Sequence, residues 1–213
     1  MPPTKNTSTG HNRPKLFWRI AFLVLCALGI LLSADLLHLH IRVHIDPNYQ
    51  SICAMSEQVN CETVALSRYA VFAGLPWAVW GLIGYLFMSG LSIRGLRSAR
   101  EPASWPFGIL FWLSALSVLV SIILFGISHI LIRSFCLVCA ATCATNFLLA
   151  GIAFVELRQT GSGPLAAIRA ELRRLAGRKT PALVYLTTFA AMLGILWLAL
   201  PTYWKMGMST GPG

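Results

Sequence analysis

Residues 107–139 read FGILFWLSALSVLVSIILFGISHILIRSFCLVC, and this stretch decides the fold. Between Phe107 and Ile132 there is no Asp, Glu, Lys or Arg. About 20 apolar residues cross the hydrocarbon core of a bilayer as a helix, so 107–132 is read as a membrane span. A second apolar run, 136–155, follows after little more than Arg133 and Ser134. So short a link makes the two spans antiparallel neighbours. Three cysteines, Cys136, Cys139 and Cys143, open the second run. They pose a question of chemistry: redox groups, metal ligands or small apolar side chains.

The rest of the chain has the same solvent. Of 213 residues, 56% are hydrophobic and 11% charged, against about 25% charged in a soluble domain. Three further runs qualify as spans: 17–39, 75–93 and 182–200. None alternates as a barrel strand does, and backbone polar groups in lipid must be satisfied within the segment. All five are therefore read as helices. The first is too long for a signal peptide and lacks a small-residue cleavage site, so it is read as an anchor.

The net charge of +10 invites a nucleic-acid reading, but the positions argue against it. Of the 17 basic residues, all except Arg42, Arg68, Arg133 and Lys205 precede the first span or lie between spans two and three or four and five. By the positive-inside rule this places the N-terminus in the cytoplasm and the C-terminus outside. The expected partners are membrane lipid and no nucleic acid.

The chain then divides as follows. Residues 1–15 are polar, rich in Pro and Thr, and read as a disordered cytoplasmic tail. Residues 16–156 form a four-helix bundle with an external cysteine loop over 40–74, in which the stretch after Cys61 reads as a short surface helix. Residues 157–180 are a cytoplasmic amphipathic linker: Leu165, Ile168, Leu172 and Leu175 share a face opposite arginines, with Pro164 and Gly177 as start and stop signals. Against anionic lipid it reads as an interfacial helix. A fifth span over 181–203 and an external tail over 204–213 complete the chain. The fold class is all-α integral membrane, with no Gly-rich phosphate loop, HExxH or nucleophile elbow.

This topology puts Cys53, Cys61, Cys136 and Cys139 on one face of the membrane. Outside the bacterial cytoplasm, or in the lumen of the endoplasmic reticulum, thiols can pair and stay paired. Ser134 is read as the N-cap of the fourth span, which puts Cys136 in the first turn. There the unpaired N–H groups, the helix dipole and the nearby Arg133 favour a thiolate. Four thiols could also close a zinc site, but the Cys53/Cys61 spacing is not that of a metal knuckle, and no metal site is assigned. Two pairs make a relay by thiol–disulfide exchange: a loop pair visits a soluble partner, and a pair at the membrane edge passes two electrons to a lipid-soluble quinone.

The external pair Cys53/Cys61, Ser67 beyond it, GLPWAVWGLIGY opening the second span and SFCLVC opening the fourth resemble the vitamin K epoxide reductase family, in its bacterial branch. The resemblance covers about residues 16–156, and the chain carries no thioredoxin domain after the fifth span. It implies a four-helix bundle around a quinone pocket (ubiquinone or menaquinone), with the fifth helix as an addition. It further implies a DsbB-like enzyme of the bacterial inner membrane that reoxidises a separate periplasmic thioredoxin-like or DsbA-like protein. By match to the family pattern, Cys53 exchanges with the partner, Cys61 with Cys136, and Cys139 faces the quinone. Ser67 matches a position near the pocket. Trp77 and Cys143 stand where relatives carry Asn and Tyr, and both are candidate head-group contacts. The alternatives are a vitamin K or quinone epoxide reductase in the strict sense, or a metal-binding membrane protein using His38, His40, His44, Cys53 and Cys61.

Some polar groups lie within the spans. Asn146 shares a helical stripe with Cys136, Cys139 and Cys143, and is read as interhelical glue or a quinone contact. Asp35, near the outer end of the first span, is a candidate for proton handling or a solvated surface acid. His38, His40 and His44 read as solvated interface groups, and Cys26 as apolar filling.

Overall fold

The structure is a computed structural model that describes residues 13–97 and 106–177, apart from 47, 52, 55, 57, 58, 160 and 162, together with 190 and 194. The expected fifth span, the external tail and positions 1–12 fall outside this description, save for those two isolated residues.

Four long helices carry the architecture: α1 (Arg13–Ile45), α3 (Trp77–Arg97), α4 (Phe107–Ile127) and α5 (Leu137–Gln159). Among the described residues, four stretches are long and apolar enough to cross a membrane: Leu16–Ile45, Trp77–Leu96, Phe107–Ile132 and Leu137–Gln159. The protein is an all-α, multi-pass membrane protein. Its outward side chains are what lipid requires, with Val24, Leu31, Leu116, Leu119 and Ile123 all exposed.

Three boundaries differ from expectation. Helix α1 starts at Arg13, inside the expected tail, and runs to Ile45, six residues into the expected external loop. Nothing in 40–45 breaks a helix; the first obstacle is the Asp46-Pro47 dipeptide, because the residue before a proline is pushed out of the α region. Residues 71–76 are not helical. Val71–Phe72 (β1) pairs antiparallel with Leu75–Pro76 (β2) through Ala73 and Gly74, both at positive φ (51° and 80°), as a two-residue hairpin turn demands. This hairpin ends in Pro76, so α3 starts at Trp77 rather than Leu75. The third span, by contrast, ends at Ile132 as expected: α4 continues as a wider π turn, Ser128–Ile132, before the chain reverses at Arg133 in the left-handed region (φ 57°).

With no hydrophobic drive between helices in lipid, close approach through small residues does the packing. A Cβ at Gly29 of α1 would collide with the Tyr85 ring of α3, and one at Gly81 would stand 2.8 Å from Ser33 Oγ. The larger core, at the end away from the two cysteine pairs, joins Phe22 and Cys26 of α1 to Tyr85 and Met88 of α3, with Phe107, Leu110, Leu149 and Ala153 from α4 and α5. Cys26 is fully buried there as apolar filling. At the same end Arg19 sits 3.7 Å from the buried Glu156 carboxylate and 5.3 Å from the Phe107 ring centre.

The amphipathic linker forms α6 (Pro164–Gly177), with the start and stop read from its sequence. Its docking is a different matter. Leu165 and Leu172 stay exposed, whereas Ala167 and Glu171 are buried. Glu171 accepts from the backbone N–H of Gly108 (3.1 Å) and Ile109 (2.7 Å). These belong to the first turn of α4, whose N-cap is Pro106, a residue with no side-chain acceptor. A carboxylate from another helix thus supplies the missing cap, and it also suits the positive end of the α4 dipole. Gly108 permits the approach, since a Cβ there would lie 2.7 Å from the carboxylate.

Replacing Glu171 with Ala should therefore destabilise the bundle by about 1–3 kcal/mol, the cost of buried donors left unanswered. The readout is a lower thermal unfolding midpoint in detergent. Arg173→Ala, on the exposed side of the same helix, should leave the midpoint unchanged; equal midpoints for the two variants would refute the capping role.

Candidate active site

At the start of α5 the cap is not the expected one. Helix α5 begins at Leu137, so Cys136 occupies the N-cap position, and the Cys139 N–H points at Cys136 Sγ (3.2 Å). The first α-helical bond, from Ala140 N–H to the Cys136 carbonyl, is 3.0 Å. Ser134 is committed elsewhere. Its hydroxyl donates to the Asn60 carbonyl (2.9 Å), its N–H donates to Ser128 O (3.2 Å), and its own carbonyl accepts from Ser128 Oγ (2.6 Å). Cys136 is bonded to Cys139, with Cα atoms 5.2 Å apart, as a C-x-x-C at a helix start allows.

The second pair sits at another helix start. Asn60 caps the short helix α2 (Cys61–Leu66), its side-chain oxygen accepting from Glu62 N (2.8 Å) and Thr63 N (3.1 Å). That makes Cys61 the first helical residue. Cys61 is bonded to Cys53, with Cα atoms 5.7 Å apart. The Glu62 carboxylate turns back to accept from the Ser51 N–H, closing the loop that carries Cys53.

The two helix starts are joined to each other. Asn60, one residue before Cys61, donates its N–H to the Phe135 carbonyl (3.2 Å), one residue before Cys136. Val59 and Phe135 make an isolated parallel bridge, and Ser134 Oγ holds the Asn60 carbonyl. Cys61 and Cys136 are buried in one apolar cluster with Leu39 and Val43 of α1, and Cys53 and Cys139 pack against it. Expected to be separate elements, loop pair and helix pair form one construction.

Directly beneath lies a cavity of about 340 Å³, lined by α1, α2, the hairpin, α3, α4 and α5. Cys61, Cys136 and Cys139 line one end. A polar chain crosses its wall: the Tyr85 hydroxyl donates to Asn146 Oδ1 (2.7 Å), and Asn146 Nδ2 donates to Ser121 Oγ (2.8 Å). Trp77 and Trp80 line another side. Trp77 stacks on Phe72 (4.8 Å between centroids), and Trp80 Nε1 donates to Phe72 O (3.1 Å), so both indoles are held by the hairpin.

Residues 20–154 match the family model of the vitamin K epoxide reductase family. The chain belongs to that family. Among curated proteins it is similar to the mouse (Mus musculus) vitamin K epoxide reductase complex subunit 1, with 29% identity over 153 residues, 66% of this chain and 92% of the relative. The family match spans α1 to α5, both cysteine pairs and the cavity, and stops before α6. The protein is accordingly a membrane oxidoreductase of this family, with two cysteine pairs able to form disulfides.

Not every residue singled out from sequence reaches the cavity. Ser67, Trp77, Cys139 and Asn146 line it, together with Cys61 and Cys136. Ser67 spends its hydroxyl hydrogen on Val64 O (2.8 Å), where it ends α2. Cys143, expected as a pocket contact, is half-buried on α5 and absent from the wall; Thr142, its neighbour, is there instead. The inward stripe of α5 is Cys139, Thr142 and Asn146, and at about 100° per residue Cys143 lies to one side of it. Asp35 and His38 are exposed on α1, outside the cavity. The five donors of the metal reading do not converge, because Cys53 and Cys61 bond to each other and His38 points away from the buried His40. Sequence reading missed Tyr85, Ser121 and His40 as cavity residues. Nothing in a uniformly apolar helix reveals which face turns inward.

Removing the α2 cap with Asn60→Ala should cost about 0.5–2 kcal/mol locally. Hydrogen exchange should then quicken at the amides of 61–66 while those in the middle of α5 keep their protection. Unchanged exchange at 61–66 would show that the disulfide alone holds α2 in place.

Proposed function

We propose that the protein is a quinone-dependent protein-disulfide oxidoreductase. Cys53 and Cys61 take electrons from a separate thioredoxin-like or DsbA-like protein, and Cys136 and Cys139 pass them to a quinone, ubiquinone or menaquinone, in the cavity. A place in the bacterial inner membrane, with the N-terminus in the cytoplasm and the cysteine end in the periplasm, goes with this reading and with the distribution of basic residues. The observation that carries it is the union of two cysteine pairs at one end of one cavity, their helix starts hydrogen-bonded together.

The chemistry is exchange. A partner thiolate attacks Cys53 and expels Cys61; Cys61 attacks Cys136 and expels Cys139. Each step breaks one S–S bond and forms one, so the electron pair moves inward without a free radical. The half-buried Cys53 is the accessible member of its pair, and Cys61 is buried next to Cys136.

The donors present fit a quinone. Its ring is flat and apolar with two carbonyl acceptors, and the cavity offers aromatic walls and the Asn146 amide in a volume typical of small-molecule sites. An amide NH₂ carries two hydrogens; Ser121 takes one from Asn146, and the second suits a carbonyl oxygen. A bound quinone would supply a two-electron acceptor; Asn146 and the aromatic walls would hold it, and Cys139 lines the same cavity.

Single Ala replacements of Cys53, Cys61, Cys136 and Cys139 should each abolish quinone-dependent oxidation of a thioredoxin-like substrate. If all four variants kept full turnover, the proposal would fail. In a Cys61→Ala background, Cys53 should trap the partner as a mixed disulfide that a reductant releases. Asn146→Leu should raise the KM for quinone about tenfold, the worth of one hydrogen bond, and leave exchange with the partner intact. The name of the mouse relative keeps epoxide reduction as the second reading; comparing turnover of a quinone with that of its epoxide separates the two.

A further inference from the structure

The proposed reaction moves protons as well as electrons, and none of the groups above carries them. When a dithiol closes to a disulfide it gives up two electrons and two protons, and a quinone becomes a hydroquinone by taking two of each. The electrons leave from sulfur. The protons need a base beside the thiols that can yield them again, and imidazole is the side chain with an ordinary pKa suited to that work.

One imidazole lies in the right place. His40 is 3% exposed, although it sits near the end of α1 where solvated histidines are expected. It lines the cavity that Cys61, Cys136 and Cys139 also line. Its position is fixed from two sides. The ring engages the backbone of Ala65 on α2, and the His44 ring stands against it at 4.4 Å. His44 is itself held by donation from its Nδ1 to the His40 carbonyl (2.7 Å). Such an arrangement costs something in lipid, where buried polar groups are expensive and tend to be functional.

We propose that His40 is the proton carrier of the cavity. It accepts the proton that a thiol of the Cys136–Cys139 pair releases as the two sulfurs bond, and gives it to an oxygen of the electron acceptor in the cavity. Two such transfers per disulfide balance the reaction, with both electrons and both protons passing from dithiol to quinone. The proposal rests on the oxidoreductase reading above. The titratable groups that share the cavity with His40 are Cys61 from α2, Tyr69 from the turn after it, Tyr85 from α3, and Cys136 and Cys139 from α5; α4 contributes only serine hydroxyls and apolar groups. From its own helix, His44 faces it directly.

The test uses the full-length protein in detergent and His40→Gln, which keeps a polar side chain and removes the base. His38→Gln, on the exposed side of the same helix, is the control. The first readout needs no quinone: the reduced protein is alkylated with a small reagent across pH, and the rates at Cys136 and Cys139 are resolved by mass spectrometry. In His40→Gln the rate at neutral pH should fall, and its rise should move to higher pH; in His38→Gln the profile should match wild type. The second readout is quinone turnover, expected to drop about 100-fold in His40→Gln, the low end of acid–base contributions, with the KM for quinone little changed. Superimposable alkylation profiles for wild type and His40→Gln would overturn the proposal. If His40→Gln does not fold, wild type still decides: its cavity thiols should show two ionisation steps, imidazole and thiol, and a single thiol step overturns the idea. Absence of quinone turnover in wild type would instead sink the oxidoreductase reading, leaving alkylation to judge His40 alone.

Discussion

The active end of this protein depends on one short hydrogen-bonded seam. Asn60 N–H to Phe135 O and Ser134 Oγ to Asn60 O tie the residue before Cys61 to the residues before Cys136. Each of those cysteines opens a helix, so fixing the helix starts fixes the sulfurs. Thiol exchange requires two sulfurs to meet, and a loop pair on an untethered segment would meet a membrane pair only by search. The seam makes the encounter a local event. It also explains why Ser134 does not cap α5: its hydroxyl serves the seam, and Cys136 takes over as N-cap.

The seam is itself supported from below. α1 runs past its expected end to Ile45, and its last turns bring Leu39 and Val43 under Cys61 and Cys136. The same extension places His40 in the cavity, whereas a helix ending at residue 39 would have left it in solvent. The hairpin over 71–76 performs the corresponding task on the other side. By ending the surface segment with a two-residue turn, it delivers Trp77 and Trp80 to the cavity wall at the first turn of α3. Small residues at Gly29 and Gly81 let α1 and α3 approach, and Tyr85 reaches across to Asn146 through the gap that results.

The opposite end is held by acids that composition alone makes inconspicuous. Glu156, fully buried, faces Arg19, and Glu171 closes the first turn of α4 in place of a cap that Pro106 cannot provide. These contacts lock α1, α4, α5 and α6 together, far from the cysteines. In a protein whose lipid-facing surface is interchangeable Leu, Ile and Val, the few charged groups inside specify which helix meets which.

Much of this was legible in the chain. The long uncharged runs dictated helices, because lipid leaves the backbone no other partner. The shortness of the link at 133–134 made α4 and α5 antiparallel neighbours. Two cysteine pairs, with the motif around them, announced redox chemistry and the family. What the chain could not announce is direction within a helix. When every face is apolar, no periodicity separates the inward side from the lipid side, so Cys143 was expected in the cavity and His40 outside it, and the structure reverses both. Nor does a sequence show contacts between distant segments: the Asn60–Ser134 seam, the Glu171 cap and the Tyr85–Asn146–Ser121 chain each join residues far apart in sequence. Hydropathy and spacing determined what this protein is made of and the chemistry it carries; only the packing of the helices decided which side chains face the reaction.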